Sequence, residues 1–281
     1  MPVTLELGDA SFDLTHRALV MGILNRTPDS FYDDGETYEL DALISKADRL
    51  VTDGADILDI GGVKAGPGPE VSEGEELDRV VGSVEAVAAR VDVAISVDTW
   101  RASVAAESYK AGAVMGNDIS GFGDPDYLRV ASAAGASVVA THIRLAPRVP
   151  DPDPHYEDLL GEVRAFLAER ALRALDFGIP RERIVLDVGL DLGKTPEQSL
   201  ELLRNSDDVA GLGYPLLLSA SNKTFLGATL GLDITGRKEA SLAACALGFS
   251  LGCRIMRVHD VAGTKRVVRT LEAISKARRD R

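Results

Sequence analysis

Short, nearly continuous apolar runs alternate along this chain with stretches whose apolar positions recur every three to four residues. The runs are ALVMGIL (18–24), ADILDIG (55–61), VAISVDT (93–99), AVMGNDI (113–119), ASVVATHI (136–143), RIVLDVG (183–189), YPLLLSA (214–220) and CRIMRVHD (253–260). Runs of this kind suit strands buried on both faces of a parallel sheet. The stretches between them read as helices; in VSEGEELDRVVGSVEAVAAR, Val71, Leu77, Val80, Val81, Val84 and Val87 mark one apolar face. Eight strand-helix units with right-handed crossovers predict a closed (β/α)8 TIM barrel in the α/β class. An open doubly wound sheet is the competing arrangement, but no GxGxxG follows the first strand. Ahead of the barrel, VTLEL, a Gly-Asp turn and SFDLT predict an N-terminal β-hairpin that caps its closed end.

Length and composition agree with one barrel spanning residues 1–281 as a single domain, with 45% hydrophobic residues to fill its core. The 44 acidic residues outnumber 31 basic ones, for a net charge of −13. That balance argues against a general nucleic-acid or anionic-membrane binder, so an anionic ligand has to be caught locally. The first 16 residues lack the basic start and apolar run of a targeting signal, which predicts a cytoplasmic protein. The uncharged stretch from Ala240 to Cys253 is too short for a membrane span and reads as a buried helix. Cys245 and Cys253 form no metal-binding pattern and are expected to be reduced core thiols.

In a barrel, chemistry sits at the C-terminal ends of the strands. Polar residues gather there: Asn25, Asp59, Asp98, Asn117, Asp118, His142, Asp187, Ser221, Lys223, Arg257 and His259. One such residue is commonly a satisfied structural group, whereas so many at one end point to a site. Asp98, Asn117 and Asp187 suit a flat heterocycle that offers N–H donors and a carbonyl along one edge. Arg257 and His259 lie two apart on a strand, hence on one face, where they can clamp an anion. Asn25 can bring a hydrated Mg2+ to that anion. Two structural readings stand beside these: Asp98 as a cap for a helix starting near Arg101, and Lys223 as a stem covering apolar surface.

The motifs MGILNRTPDSFYDDG, GADILDIGG, ISVDTWRASVAAES, GNDISG, SNKTFLG and RVHDV, in this order, resemble the dihydropteroate synthase family over nearly the whole chain. The resemblance implies a TIM barrel, usually a homodimer. Its reaction joins 6-hydroxymethyl-7,8-dihydropterin diphosphate to p-aminobenzoate and releases pyrophosphate, with Mg2+ assisting departure of the diphosphate. It further implies that Asp98, Asn117, Asp187 and Lys223 bind pterin. Asn25, Arg257 and His259 would take the diphosphate and its Mg2+, and Asp33 is the acid of the first mobile loop. In an active enzyme Asp33, Lys223 and Arg257 would be catalytic.

Departures from the family pattern concentrate on the second-substrate side. Where the family has GGESTRPG, this chain has GGVKAGPG, placing Val63, Lys64, Ala65 and Gly66 at the Glu, Ser, Thr and Arg positions. DPGIGFGK has become DVGLDLGK, with Leu192 for an aromatic residue; SRK has become SNK, with Asn222 for an arginine. Arg26 adds a cation to the first loop, and on the pterin side Thr141 replaces the usual Met. A neutral amide cannot reproduce a planar guanidinium fork on a carboxylate, and losing such a bond costs about 1.5–3 kcal/mol. The pattern therefore resembles the divergent, inactive second copy that some bacteria carry beside the true synthase. Further readings are an active transferase that joins the pterin diphosphate to p-aminobenzoate or to another amine acceptor, with Arg26 and Lys64 as relocated cations in the latter case, and a protein that binds a pterin diphosphate without turnover.

Overall fold

The computed structural model describes residues 3–27, 39–66 and 68–277. Strands β1 (Thr4–Leu7) and β2 (Ala10–Asp13) form an antiparallel hairpin with Gly8 in the left-handed region at φ 58°. The chain continues through β3 (Leu19–Asn25), α1 (Leu40–Thr52), β4 (Ile57–Gly61), α2 (Glu73–Ala88), β5 (Ala94–Asp98), α3 (Ala102–Lys110), β6 (Met115–Asp118) and α4 (Tyr127–Ala133). It then runs through β7 (Ser137–Thr141), α5 (Leu159–Asp176), β8 (Ile184–Asp187), α6 (Pro196–Arg204), α7 (Ser206–Ala210) and β9 (Leu216–Leu218). Helices α8 (Thr224–Leu230) and α9 (Lys238–Ser250), strand β10 (Cys253–Val258) and helix α10 (Val261–Ala277) complete it.

Strands β3 to β10 pair in parallel, and β10 returns to β3, so the sheet closes into the expected eight-stranded barrel. β9 is the shortest strand, three residues against the seven read from sequence. Pro215 has no N–H to donate at its start, and the register slips between Cys253 and Ile255 on its neighbour β10. Two helices follow β8 and two follow β9, more than a simple one-strand, one-helix alternation contains.

Strand side chains alternate in direction, and this divides the core in two. Leu19, Met21, Ile57, Met115, Val139, Val185, Leu217 and Ile255 point inward, and hairpin residues Leu5 and Leu7 with Leu14 pack on them. The hairpin thus plugs the N-terminal end as expected. Leu58, Ile60, Val97, Val138, Leu186 and Met256 point outward into the layer shared with the helices.

The face of α2 differs from the apolar reading. Val71 precedes the helix and Leu77 and Val81 are only half-buried, while Glu76 and Ser83 are buried with Val80, Val84 and Val87. Glu76 is tolerated because its carboxylate is paired with Arg101 and accepts from the Thr99 hydroxyl at 2.5 Å. The Ala240–Cys253 stretch forms most of α9, with Ala244, Cys245 and Phe249 buried. Cys245 and Cys253 are free, buried thiols, each pushed up to about 12 by burial. No helix among the described residues is long and apolar enough to cross a membrane.

Candidate functional site

The same alternation that plugs one end of the barrel with leucines fills the other with polar groups. Asp59 stands two residues beyond Ile57, Asp98 two beyond Ser96, Asn117 two beyond Met115, Asp187 two beyond Val185 and Arg257 two beyond Ile255. Each therefore points inward, one layer nearer the C-terminal mouth than the apolar core.

They form a bonded network. Arg257 Nε donates to Asp59 Oδ2 at 2.6 Å and its Nη2 to Asp98 Oδ2 at 2.6 Å. Asn117 Nδ2 donates to the same Asp59 oxygen at 3.0 Å. One guanidinium faces two carboxylates. Burial dominates at Asp98 and, despite Arg257, raises its carboxyl to about 7. Burial alone would lower Arg257, but Asp59 and Asp98 outweigh it and hold the guanidinium protonated above its usual range. Asn25 Oδ1 and Asp98 Cβ both approach to 3.3 Å of the point where a side chain at Gly61 would begin, so glycine there lets them share the mouth.

Across the mouth, Asp187 Oδ1 accepts from the Gly189 N–H at 2.8 Å, and Lys223 Nζ donates to the Leu190 carbonyl at 2.6 Å. Burial raises Asp187 and lowers Lys223, and each charge opposes the shift of the other. The His259 ring meets Ser221 Oγ at 2.9 Å, and the His259 N–H donates to that oxygen at 3.2 Å. Asn25, Asp59, Asp98, Asn117, Asp187, Ser221, Lys223, Arg257 and His259 thus gather at one end of the barrel. Asp33 lies outside the described residues.

Two polar residues expected at the mouth are turned elsewhere. Asp118 has the opposite strand parity; its carboxylate accepts from Ser120 N at 2.6 Å and Phe122 N at 2.9 Å, shaping the turn after β6. His142 also points outside the barrel wall, against Phe166 at 4.9 Å between ring centres, with Nδ1 2.9 Å from Lys194 Nζ. Burial, then Lys194, lowers His142 to about 3, and burial lowers Lys194 to about 7. Asp98 does not cap α3; Asp124 Oδ2 accepts the Ala102 N–H instead, at 2.9 Å. Lys223 is a mouth residue through its Nζ, so the stem-cover reading does not describe it.

On the altered side, Arg26 Nη1 donates to the Arg79 carbonyl at 3.1 Å and Ser83 Oγ at 3.3 Å, which turns that cation toward α2. Asn222 holds a left-handed backbone at φ 57°, and its N–H donates to Ser241 Oγ at 3.0 Å. Arg237 Nη1 donates to the Asn222 carbonyl at 2.9 Å. Ala65 and Gly66 place no charge in the loop after β4. Thr141 is buried, and its Oγ1 has no hydrogen-bond partner among the described residues.

Sequence reading overlooked Asp191. It sits at φ 65° in the DVGLDLGK turn and accepts the first N–H groups of α8, from Thr224 at 2.6 Å and Phe225 at 3.3 Å. An Asp in a Gly-rich turn just beyond a strand end is the signal that was there to find, since Asp both tolerates the left-handed region and caps helices.

Residues 21–259 match the family model described as pterin binding enzyme. The chain is 43% identical over 272 residues to a protein named inactive dihydropteroate synthase 2 from Mycobacterium leprae (strain TN), covering 93% of this chain and 92% of that one. It is 40% identical over 276 residues to a dihydropteroate synthase of Synechocystis, covering 97% and 96%. The crystal structure of Yersinia pestis dihydropteroate synthase in a sulfonamide drug complex superposes with a TM-score of 0.93 at 37% identity, covering 98% of this chain and all of that one. Fold, ordered motifs and relatives agree: the chain belongs to the dihydropteroate synthase family of pterin-binding enzymes.

Proposed function

We propose that this chain keeps the pterin and diphosphate half of a dihydropteroate synthase site and lacks efficient synthase activity because its p-aminobenzoate side is altered. The observation that carries the reading is the contrast between the two halves. Asp59, Asp98, Asn117 and Arg257 form a connected network, whereas Asn222 and Gly66 bring no guanidinium to the positions where the family has one. In this reading Asp98, Asn117 and Asp187 accept from and donate to the edge of the pterin, and Lys223 closes over it. Ser221, Arg257 and His259 face the diphosphate.

For Mg2+, the donor set fits only a metal that arrives with its diphosphate. No cluster of three acidic, His or Cys ligands exists among the described residues, and Asn25 alone would supply one amide oxygen. Mg2+ commonly binds through one or two protein oxygens plus substrate phosphates. When bound it would neutralise charge on the leaving diphosphate. The family resemblance supports a single-domain, cytoplasmic homodimer. The second reading, transfer to another amine, draws support from the intact network at Arg257. Arg26 offers that reading little, since its guanidinium is directed at α2.

The test is pyrophosphate release from 6-hydroxymethyl-7,8-dihydropterin diphosphate, with and without p-aminobenzoate and with a panel of other amines. Binding without release supports the proposal, and release with a different amine supports the second reading.

A further inference from the structure

Residues 142–158 join β7 to α5. At seventeen residues the segment is longer than barrel loops generally run, and ordered loops of that length tend to carry function. At its centre, Arg148 adopts a left-handed backbone at φ 67°, which a side chain with a Cβ takes up only when its surroundings hold it there. What holds it is the altered loop after β4. The Arg148 N–H donates to the Ala65 carbonyl at 3.3 Å, Nη1 donates to the Lys64 carbonyl at 3.3 Å, and Nη2 donates to the Pro69 carbonyl.

Between the two loops lies a cavity of about 140 Å³. Its walls include Ile143, Leu145, Val149, Pro150 and Leu192, all aliphatic, together with Arg148. The charges on this rim are not equivalent. Asp151 is paired with Arg144, the Asp191 carboxylate also on the lining accepts the Thr224 N–H at 2.6 Å and the Phe225 N–H at 3.3 Å, and Lys194 Nζ is taken up by His142 Nδ1 at 2.9 Å and the Leu192 carbonyl at 3.0 Å. Arg148 pairs with no carboxylate among the described residues, and its two carbonyl bonds use two of five N–H donors. A half-buried guanidinium held by neutral carbonyls beside an aliphatic wall favours one ligand chemistry, a compact anion with a hydrocarbon body.

We propose that this cavity binds a small aliphatic carboxylate, its oxygens on Arg148 and its hydrocarbon against Ile143, Leu145, Val149, Pro150 and Leu192. The ligand bridges the long β7–α5 loop and the loop after β4, adding to the hydrogen bonds that Arg148 already makes between them. None of the residues that hold it belongs to the pterin half, but Ala65, Gly66 and Leu192 lie on the altered second-substrate side, so the proposal rests on that part of the proposed function.

The test uses the full chain and calorimetric titration with 4-methylpentanoate, 4-methylpentanamide, p-aminobenzoate and inorganic phosphate, while binding of the pterin diphosphate is measured on the same samples. Saturable binding of 4-methylpentanoate is expected, with the amide weaker by about tenfold or more and p-aminobenzoate and phosphate weaker than the aliphatic acid. Arg148→Gln should weaken the carboxylate by about tenfold and leave the pterin diphosphate affinity unchanged, with Arg148→Lys in between. Ala146→Phe, which fills the cavity while keeping Arg148, should abolish carboxylate binding. Hydrogen exchange in residues 62–70 should slow when the acid is present. The proposal is overturned if no carboxylate saturates the folded protein at tens of millimolar, or if the amide, p-aminobenzoate or phosphate binds as well as 4-methylpentanoate. An unchanged affinity in Arg148→Gln or in Ala146→Phe would overturn it too. Loss of pterin binding alone bears on the proposed function and leaves this site standing.

Discussion

Asp59 and Asp98 share one arginine, and the electrostatics of the mouth follow from that stoichiometry. Arg257 can neutralise one buried carboxylate; burial keeps the proton on Asp98 until about pH 7. A pterin edge that donates N–H groups needs the ionised form, so its affinity should rise with pH. The competent fraction grows as pH rises through neutrality, so affinity should climb between pH 6 and pH 8. Titration of pterin binding across that range checks it, and Asp98→Asn should bind weakly with no such slope. Stability runs the other way. Because the folded-state pKa lies above the unfolded one, the contribution of Asp98 is complete below about pH 4 and disappears as pH rises through about 7. Thr141 carries a smaller lesson. Its Oγ1 is buried without a partner among the described residues, an arrangement that costs about 1–3 kcal/mol, so Thr141→Val should raise stability by about 1 kcal/mol in denaturant unfolding.

At the scale of elements, Asp191 ties the turn after β8 to the start of α8, and Lys223 at the α8 N-cap is tied back to Leu190 in that turn. Asp191→Ala removes the cap and leaves a non-glycine residue at φ 65°; thermal unfolding should show a loss of about 1–2 kcal/mol, with weaker pterin binding through the displaced Lys223. These ties mark the limit of what the chain alone discloses. Apolar runs and their two-residue alternation are local, so the strands, the hairpin plug and the inward direction of Asp98, Asn117, Asp187 and Arg257 are legible from them. The outward turn of Asp118 and His142 was legible by the same parity, had it been applied residue by residue. The pairing of Glu76 with Arg101 and of Arg257 with both Asp59 and Asp98 was not. It joins residues 25, 198 and 159 positions apart, and no local pattern encodes which distant charge neutralises which. The loop after β4 illustrates the same limit: its glycines predict freedom, yet Arg148 from a distant loop fastens it at three carbonyls.

For the whole molecule, the account is of a barrel with one half of its mouth kept and the other half changed. Rebuilding the changed half should recover chemistry only when its parts return together, because a carboxylate clamp missing one member leaves the ligand unheld. Ala65→Thr, Gly66→Arg and Asn222→Arg in combination should raise dihydropteroate formation above the parent, while each alone should do little; initial rates at saturating pterin diphosphate decide it. The most direct measurement of the central claim is kcat/KM for dihydropteroate formation by the unaltered protein beside an authentic synthase, with pterin diphosphate binding measured in parallel. Two missing charged hydrogen bonds at about 1.5–3 kcal/mol each predict a deficit of roughly a hundredfold or more, with the pterin diphosphate still bound. A kcat/KM equal to that of the authentic enzyme would contradict the account.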